Sequence, residues 1–320
     1  MKRRQLRCGL NRHKSACYLC FKEGGTKLRR FTYHEPDSLT GAIALLEENG
    51  AKAKLLAGGT DLIIEIKQEA KTPDHLVSLR SVPGLQDMEY SNRELSFGAM
   101  VTHRMIEKSE LIREKFSLLS DAVDNLGSVQ VRNVATIGGN LCSAAPSADT
   151  AAPVMALQAT LVVKGPAGER RIPIEDFFKG PGKTALEPAE ILCCISIPAL
   201  PEGAASCYIK HARRKAMDLP LLGIAVIIVP DDNIVCREAR IALTLAGPIP
   251  FRATKAEAFV TGKPLSRQIW EQAGEIAVSE SNPRTSFRTT AEYRKKMICA
   301  LIPRAAEVAL QRINRAWMKG

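Results

Sequence analysis

Two short glycine-bearing runs hold the residue types best suited to chemistry in this chain: Ala57-Gly58-Gly59-Thr60-Asp61 and Thr136-Ile137-Gly138-Gly139-Asn140. Adjacent glycines lack Cβ atoms and tolerate positive φ, so successive backbone N–H groups can converge on an anion, a geometry that suits a pyrophosphate. Thr60, Thr136 and Ser143 add hydroxyl donors, and the Asn140 amide can both donate and accept toward polyol or phosphate oxygens. Asp149, an acceptor only when ionised, suits a polyol or sugar hydroxyl and repels phosphate. Neither run is a GxGxxG dinucleotide fingerprint or a GxxxxGK[ST] P-loop, so the common nicotinamide and nucleoside-triphosphate readings are not supported.

The elements that must hold these runs are legible around them. Asp37 or Ser38 caps a helix through Leu46, stopped by Asn49-Gly50. Ala53 to Leu56 reads as a strand entering the first glycine turn, and apolar Leu62 to Ile66 follows as a buried segment. The arrangement recurs: Ser117 to Leu126 reads as a helix, then Gln130 to Val134 leads into the second run. Beyond Asp149 come a short helix and a strand ending near Lys164, with a turn at Gly165 to Gly168. Leu219 to Val229 and Arg240 to Leu245 read as adjacent strands joined by a Pro230 to Asn233 turn, and Ala253 to Gly262 as a helix. Thr290 to Trp317 is a long helical pattern expected to break near Pro303. A domain boundary is placed near Pro201 to Ala205, giving domains at 28–203 and 206–320.

With 320 residues and 45% hydrophobic content, two domains of ordinary size are expected. The longest apolar stretch, Leu219 to Val229, is too short to cross a bilayer, so no membrane span is expected. Of the +11 net charge, residues 1–30 carry ten Lys or Arg and one acid, leaving 35 basic against 33 acidic residues elsewhere. That near-neutral body, with 5% aromatics, lacks the footprint of a nucleic-acid binder. Nine cysteines without regular spacing fit a reducing cytoplasm. Residues 1–27 differ from the rest: Cys8, His13, Cys17 and Cys20 could form a small zinc knuckle, but one CxxC is a weak signal. The alternative is a non-native or disordered extension, with Leu28 as the natural start, since Lys22-Glu23-Gly24 can encode a ribosome-binding sequence. Cys193 and Cys194 read as packed thiols, His34 and His103 have no ligand partners at useful spacing, and His211 only neighbours Lys210.

Longer runs carry a resemblance. LAGGTDL (56–62), GSVQVRNVATIGGNLCSAAPSADTAAPVMAL (127–157), FFKGPGKTALEPAEIL (177–192), ARIALTLAGPIPFRATKAEAFVTGK (239–263) and RTTAEYRKKMICALIPRA (288–305) resemble, in order and spacing, the FAD-binding subunit of molybdenum hydroxylases. That family includes xanthine dehydrogenases, carbon monoxide dehydrogenases and aldehyde or aromatic-ring oxidoreductases. The resemblance implies an α+β fold: a two-lobed PCMH-type FAD-binding domain, with two α/β lobes and FAD between them, then a smaller C-terminal sheet-and-helix domain. It implies that residues 57–61 and 136–140 hold the FAD pyrophosphate and ribityl regions, that Ser143 and Asp149 are further polar contacts, that Leu186 packs against the isoalloxazine ring, and that Lys210 sits near the flavin's polar edge. It also implies a complex of three subunit types, a heterotrimer or a dimer of such sets. An iron–sulfur (small) subunit would relay electrons to FAD, a molybdopterin (large) subunit would hydroxylate the substrate, and NAD+, oxygen or a quinone would be the final acceptor. Two rivals keep the fold: a self-sufficient flavoenzyme such as UDP-N-acetylenolpyruvoylglucosamine reductase, and a flavin-free assembly subunit.

Overall fold

Parallel strands need a crossover that returns the chain to the same edge, and the N-terminal lobe is built around that requirement. The computed structural model describes residues 29–231 and 235–317; the expectations placed on residues 1–27 lie outside the described residues, as does the second half of the Pro230 to Asn233 turn. In the first lobe β1 (Thr32–His34), α1 (Leu39–Asn49), β2 (Ala53–Leu56), α2 (Leu62–Lys67) and β3 (His75–Ser78) form a parallel sheet of order β1-β3-β2. Ser38 caps α1, its Oγ accepting from the Gly41 N–H at 3.2 Å. Leu62 to Ile66, expected to be buried, is a helical crossover that carries the chain from β2 back to β3, and only Ile66 of α2 is buried.

The second lobe comprises β4 (Met88–Ser91), β5 (Glu94–Gly98), α3 (His103–Lys108), α4 (Glu110–Lys115), α5 (Ser117–Asp124), α6 (Val129–Val134), α7 (Ile137–Cys142), α8 (Ala151–Ala156), β6 (Thr160–Gly165), β7 (Gly168–Pro173), α9 (Ile174–Phe177), β8 (Phe178–Gly180), β9 (Lys183–Thr184) and β10 (Ile191–Pro198). Its main sheet, β4-β5-β10-β6-β7, is antiparallel throughout, so this lobe is α+β where an α/β lobe was expected. Leu95, Phe97, Leu161, Val163, Ile195 and Ile197 face α5 and α8 in one core.

The C-terminal domain, β11 (Ala205–His211), β12 (Leu222–Pro230), β13 (Cys236–Thr244), β14 (Phe251–Arg252), α10 (Thr254–Val260), α11 (Arg267–Glu280) and α12 (Ala291–Trp317), is an antiparallel sheet of order β11-β12-β13-β14 with helices against one face. Strand β12 reads as a continuous apolar run because both its faces are covered. Ile224, Val226 and Ile228 pack under α11 and α12, while Ala225 and Ile227 join the core of the second lobe. Gly223 sits where β11, β12 and β13 meet: a Cβ there would be 2.8 Å from the Tyr208 hydroxyl and closer still to Thr244 Oγ1. Helix α12 runs through Pro303 without the expected break. A mid-helix proline costs roughly 3 kcal/mol. Burial of Ile298, Ile302, Ala305, Ala306 and Ala309 in one cluster with Trp270 and Ala273 of α11 outweighs that cost.

Two polar clamps join the domains. Arg312 of α12 donates to both carboxylate oxygens of Asp121, at 2.8 and 2.9 Å, and to the Ser206 carbonyl at 2.7 Å. Lys210 and Asp149 form an ion pair at 2.9 Å in which both side chains are under a tenth exposed. Lys210 also donates to the Asn125 carbonyl at 2.9 Å, and the Tyr208 hydroxyl donates to Asp149 at 3.3 Å.

Removing one member of a buried pair strands the other charge. Asp149→Ala is expected to cost about 3–5 kcal/mol in urea unfolding, and adding Lys210→Met should recover most of the loss; equal stability of the single and double variants would show that the pair is not what matters. Burial, acting against the attraction of Lys210 and the hydrogen bonds from Lys210 and Tyr208, pushes the Asp149 carboxyl up to about 6. A raised pKa in the folded state makes this group's contribution greatest in acid and lost as pH rises through about 6. Relative to Asp149→Asn, the wild type should therefore lose stability between pH 4 and 7, and a pH-independent difference would count against the raised value.

Candidate functional site

The first glycine run lies where β2 hands over to α2. Gly59 takes φ +74°, which a residue with a Cβ adopts only under strain. The N–H groups of Gly58, Gly59, Thr60 and Asp61 make no hydrogen bond with the described residues. Four successive unspent amides are what an anion-binding concavity requires. The Thr60 hydroxyl is likewise without a partner among the described residues, and Asp61 is exposed at the mouth without capping α2.

The second run is a different object from the matched loop expected of it. Thr136 to Asn140 is the start of helix α7, and its amides are already committed: Ile137 N–H to the Val101 carbonyl, Gly138 N–H to the Ala99 carbonyl, Gly139 N–H to Thr136 Oγ1, each at 3.0 Å, and Asn140 N–H to the Thr136 carbonyl at 2.9 Å. Its glycines serve contact instead of φ. A Cβ on Gly138 would lie 2.5 Å from Ala99 Cβ, and one on Gly58 would overlap the Val134 carbonyl and come 2.8 Å from Ala135 Cα. Gly58 thereby lies on the peptide that leads into the second run, and a Cβ on Gly139 would be 3.6 Å from Ala57 Cβ.

Between them and the Leu186 to Leu192 segment lies a cleft of about 600 Å³, within the size range of small-molecule sites. Ala57, Gly58, Gly59, Thr60, Asp61, Thr136, Gly138, Gly139, Asn140 and Ser143 line it, and Leu186 is on its wall with Pro188, Ala189 and Leu192. Thr150 donates to Asn140 Oδ1 at 2.6 Å, which leaves the Asn140 NH2 as a donor with no partner among the described residues. Ser143 donates its hydroxyl to the Asn140 carbonyl at 2.9 Å. Ile137 is fully buried in the core of the second lobe and does not line the cleft. Nor do Asp149 and Lys210: both point their charge into the clamp described above, so the structure separates them from the residues with which they were grouped.

Two residues given no functional weight in the sequence shape this site. Arg132 donates to both carboxylate oxygens of Glu107, at 3.0 and 3.2 Å, and to the Leu126 carbonyl at 2.8 Å, tying α6 to α3 and fixing the Val134–Ala135 backbone on which Gly58 rests. His103, set aside for want of ligand partners at useful spacing, lines the cleft. Its distance of more than 30 residues from either glycine run hid it.

Gly58→Ala should damage the protein more than Gly59→Ala. The first drives a methyl into backbone that cannot retreat, for an expected loss of about 2–3 kcal/mol; the second imposes φ strain of about 1–2 kcal/mol. Thermal unfolding of the two variants checks the order, and the reverse order would refute the packing argument.

Comparison with known proteins matches this architecture over both domains. Residues 29–200 match the model of the FAD binding domain in molybdopterin dehydrogenase, and residues 207–309 the CO dehydrogenase flavoprotein C-terminal domain. The putative xanthine dehydrogenase FAD-binding subunit of Escherichia coli K12 is 35% identical over 269 residues, covering 83% of this chain and 91% of that protein. Among solved structures, a chain of the carbon monoxide dehydrogenase from Hydrogenophaga pseudoflava superposes with a TM-score of 0.86 at 32% identity, covering 89% of this chain and 99% of its own. A chain of quinoline 2-oxidoreductase from Pseudomonas putida 86 gives 0.85 at 30% identity, covering 90% and 99%. A glycine-lined cleft between two lobes, followed by a sheet-and-helix domain that both lobe packing and comparison assign to the same architecture, makes this chain a member of the FAD-binding flavoprotein subunits of the molybdopterin hydroxylase family.

Proposed function

We propose that this chain is the electron-transferring subunit of a molybdopterin-dependent hydroxylase, holding FAD in the cleft between its two lobes. The observation that carries the reading is the set of four unspent amides from Gly58 to Asp61 facing a cleft of dinucleotide size. These amides would hold the diphosphate; the Asn140 NH2 and the Thr60 hydroxyl would meet neighbouring polar groups, and Leu186 and Leu192 would shield an aromatic ring system. When bound, FAD supplies exchange between one-electron and two-electron carriers.

The chain's own side chains support placing the other cofactors elsewhere. Among the described residues no three His, Cys, Asp or Glu side chains gather as a metal site. Burial pushes the Cys142 and Cys207 thiols up to about 12 and those of Cys193 and Cys236 to about 11, as for thiols packed in apolar surroundings. In this reading an iron–sulfur (small) subunit delivers electrons, a molybdopterin (large) subunit transforms the substrate, and NAD+, oxygen or a quinone takes the electrons away. No helix among the described residues is long and apolar enough to cross a membrane. From the free cysteines, which suit a reducing compartment, we place the complex in the cytoplasm.

Purification from the native source under mild conditions tests the proposal. FAD, molybdenum and iron in one peak with two further chains is the expected result. FAD with this chain alone and no metal would favour a self-sufficient flavoenzyme, and a colourless chain that takes up no added FAD would favour an assembly subunit.

A further inference from the structure

His103 opens α3 at the point where the two glycine segments meet. Its backbone N–H donates to the Ala135 carbonyl at 3.0 Å, and Ala135 is the residue whose Cα lies under Gly58. Next to it, Thr102 and Thr136 form an isolated antiparallel bridge. The His103 side chain is fully buried, and neither ring nitrogen has a hydrogen-bond partner among the described residues. An imidazole always carries at least one N–H, and a buried polar group without a partner is disfavoured, so buried histidines are ordinarily satisfied by protein or water. The other unpartnered buried side-chain atoms, Thr244 Oγ1 and Trp270 Nε1, belong to the C-terminal domain and do not line the cleft. His103 does line it.

The state of the ring suits a particular ligand. Burial, and after it the positive charge of Arg132, lowers the His103 pKa to about 4. The ring is therefore neutral at physiological pH, with one nitrogen a donor and the other an acceptor. A neutral donor can meet an anionic oxygen without bringing a second charge into the floor of the cleft. Since the α7 amides are spent internally, the second glycine segment has little of its own backbone to offer an anion, and the donors left beside it without another partner among the described residues are the Asn140 NH2 and the His103 ring.

We infer that His103 is a cofactor-binding residue, its ring N–H completing on the α7 side of the cleft the diphosphate cradle that the Gly58 to Asp61 amides form on the other. This rests on the reading of the cleft as a FAD site, and the experiment separates the two. Full-length chain labelled with 15N-histidine is stripped of flavin and titrated with FAD, following the ring nitrogens of His103 by NMR and the affinity by quenching of flavin fluorescence. FAD should shift one His103 ring nitrogen to a hydrogen-bonded donor position. His103→Phe, which fills the space without a donor, should bind FAD roughly 10- to 100-fold more weakly, with a melting temperature of the flavin-free chain no lower than wild type. His103→Gln should regain part of the affinity. Unmoved His103 resonances at saturating FAD, or wild-type affinity in His103→Phe, would overturn the assignment while leaving the FAD site intact. Failure of the wild-type chain to bind FAD would overturn both. If His103→Phe does not fold, the resonances of the wild-type protein decide alone.

Discussion

The structure depends on one close approach of backbone to backbone. Gly58 rests on the Val134–Ala135 peptide so tightly that a methyl group has no room, and through that contact the first lobe is set on the second. Everything that defines the cleft follows from it: the direction in which the Gly58 to Asp61 amides face, the distance to the Leu186 wall, and the place of His103 beneath the junction. The contact is itself held from behind, where Arg132 and Glu107 lock α6 to α3. A buried ion pair of this kind contributes less to stability than to placing its two helices, since its desolvation largely offsets its attraction.

Two glycine pairs that look alike as text divide the work between them. The first gives its amides to the cleft and keeps the conformational freedom of glycine at Gly59. The second gives up its amides to Val101, Ala99 and Thr136, which anchors the start of α7 directly after the Val134–Ala135 peptide on which Gly58 lies. An anion site on this scaffold is thus lopsided in its backbone donors, and side chains must supply what α7 does not. Asn140, oriented by Thr150, is one such side chain.

The legible parts of the sequence were those governed by local chemistry. Caps and stops such as Ser38 and Gly50, the apolar strands, and the glycine turn after β2 all declare themselves within a few residues. What misled was tertiary. Leu62 to Ile66 carries aliphatics that read as buried, yet the segment is the crossover that the parallel pairing of β2 and β3 requires, and only Ile66 of it is buried. Pro303 reads as a helix break, yet packing of α12 on α11 holds the helix through it. Asp149, read as an acceptor for a polyol, and Lys210, placed by resemblance alone, pair their charges with each other where two domains meet, an arrangement between distant segments that spacing does not reveal. Arg132 escaped notice and His103 was set aside for the converse reason: the Glu107 partner of Arg132 lies in another helix, and the His103 ring has no partner among the described residues.

Strand β12 poses a problem of a different kind. With aliphatic residues on both faces, it would bury well in either of two alignments, because a slip by one residue merely exchanges Ile224, Val226 and Ile228 with Ala225 and Ile227. Hydrophobicity cannot choose between them. Gly223 can: only glycine fits beside the Tyr208 hydroxyl and Thr244 Oγ1, and a slipped strand would bring Leu222 or Ile224 to that point. The glycine is an index mark that fixes which residue of β12 faces which core, and because Tyr208 also holds Asp149, the alignment of the sheet and the seating of the C-terminal domain are set by the same few atoms.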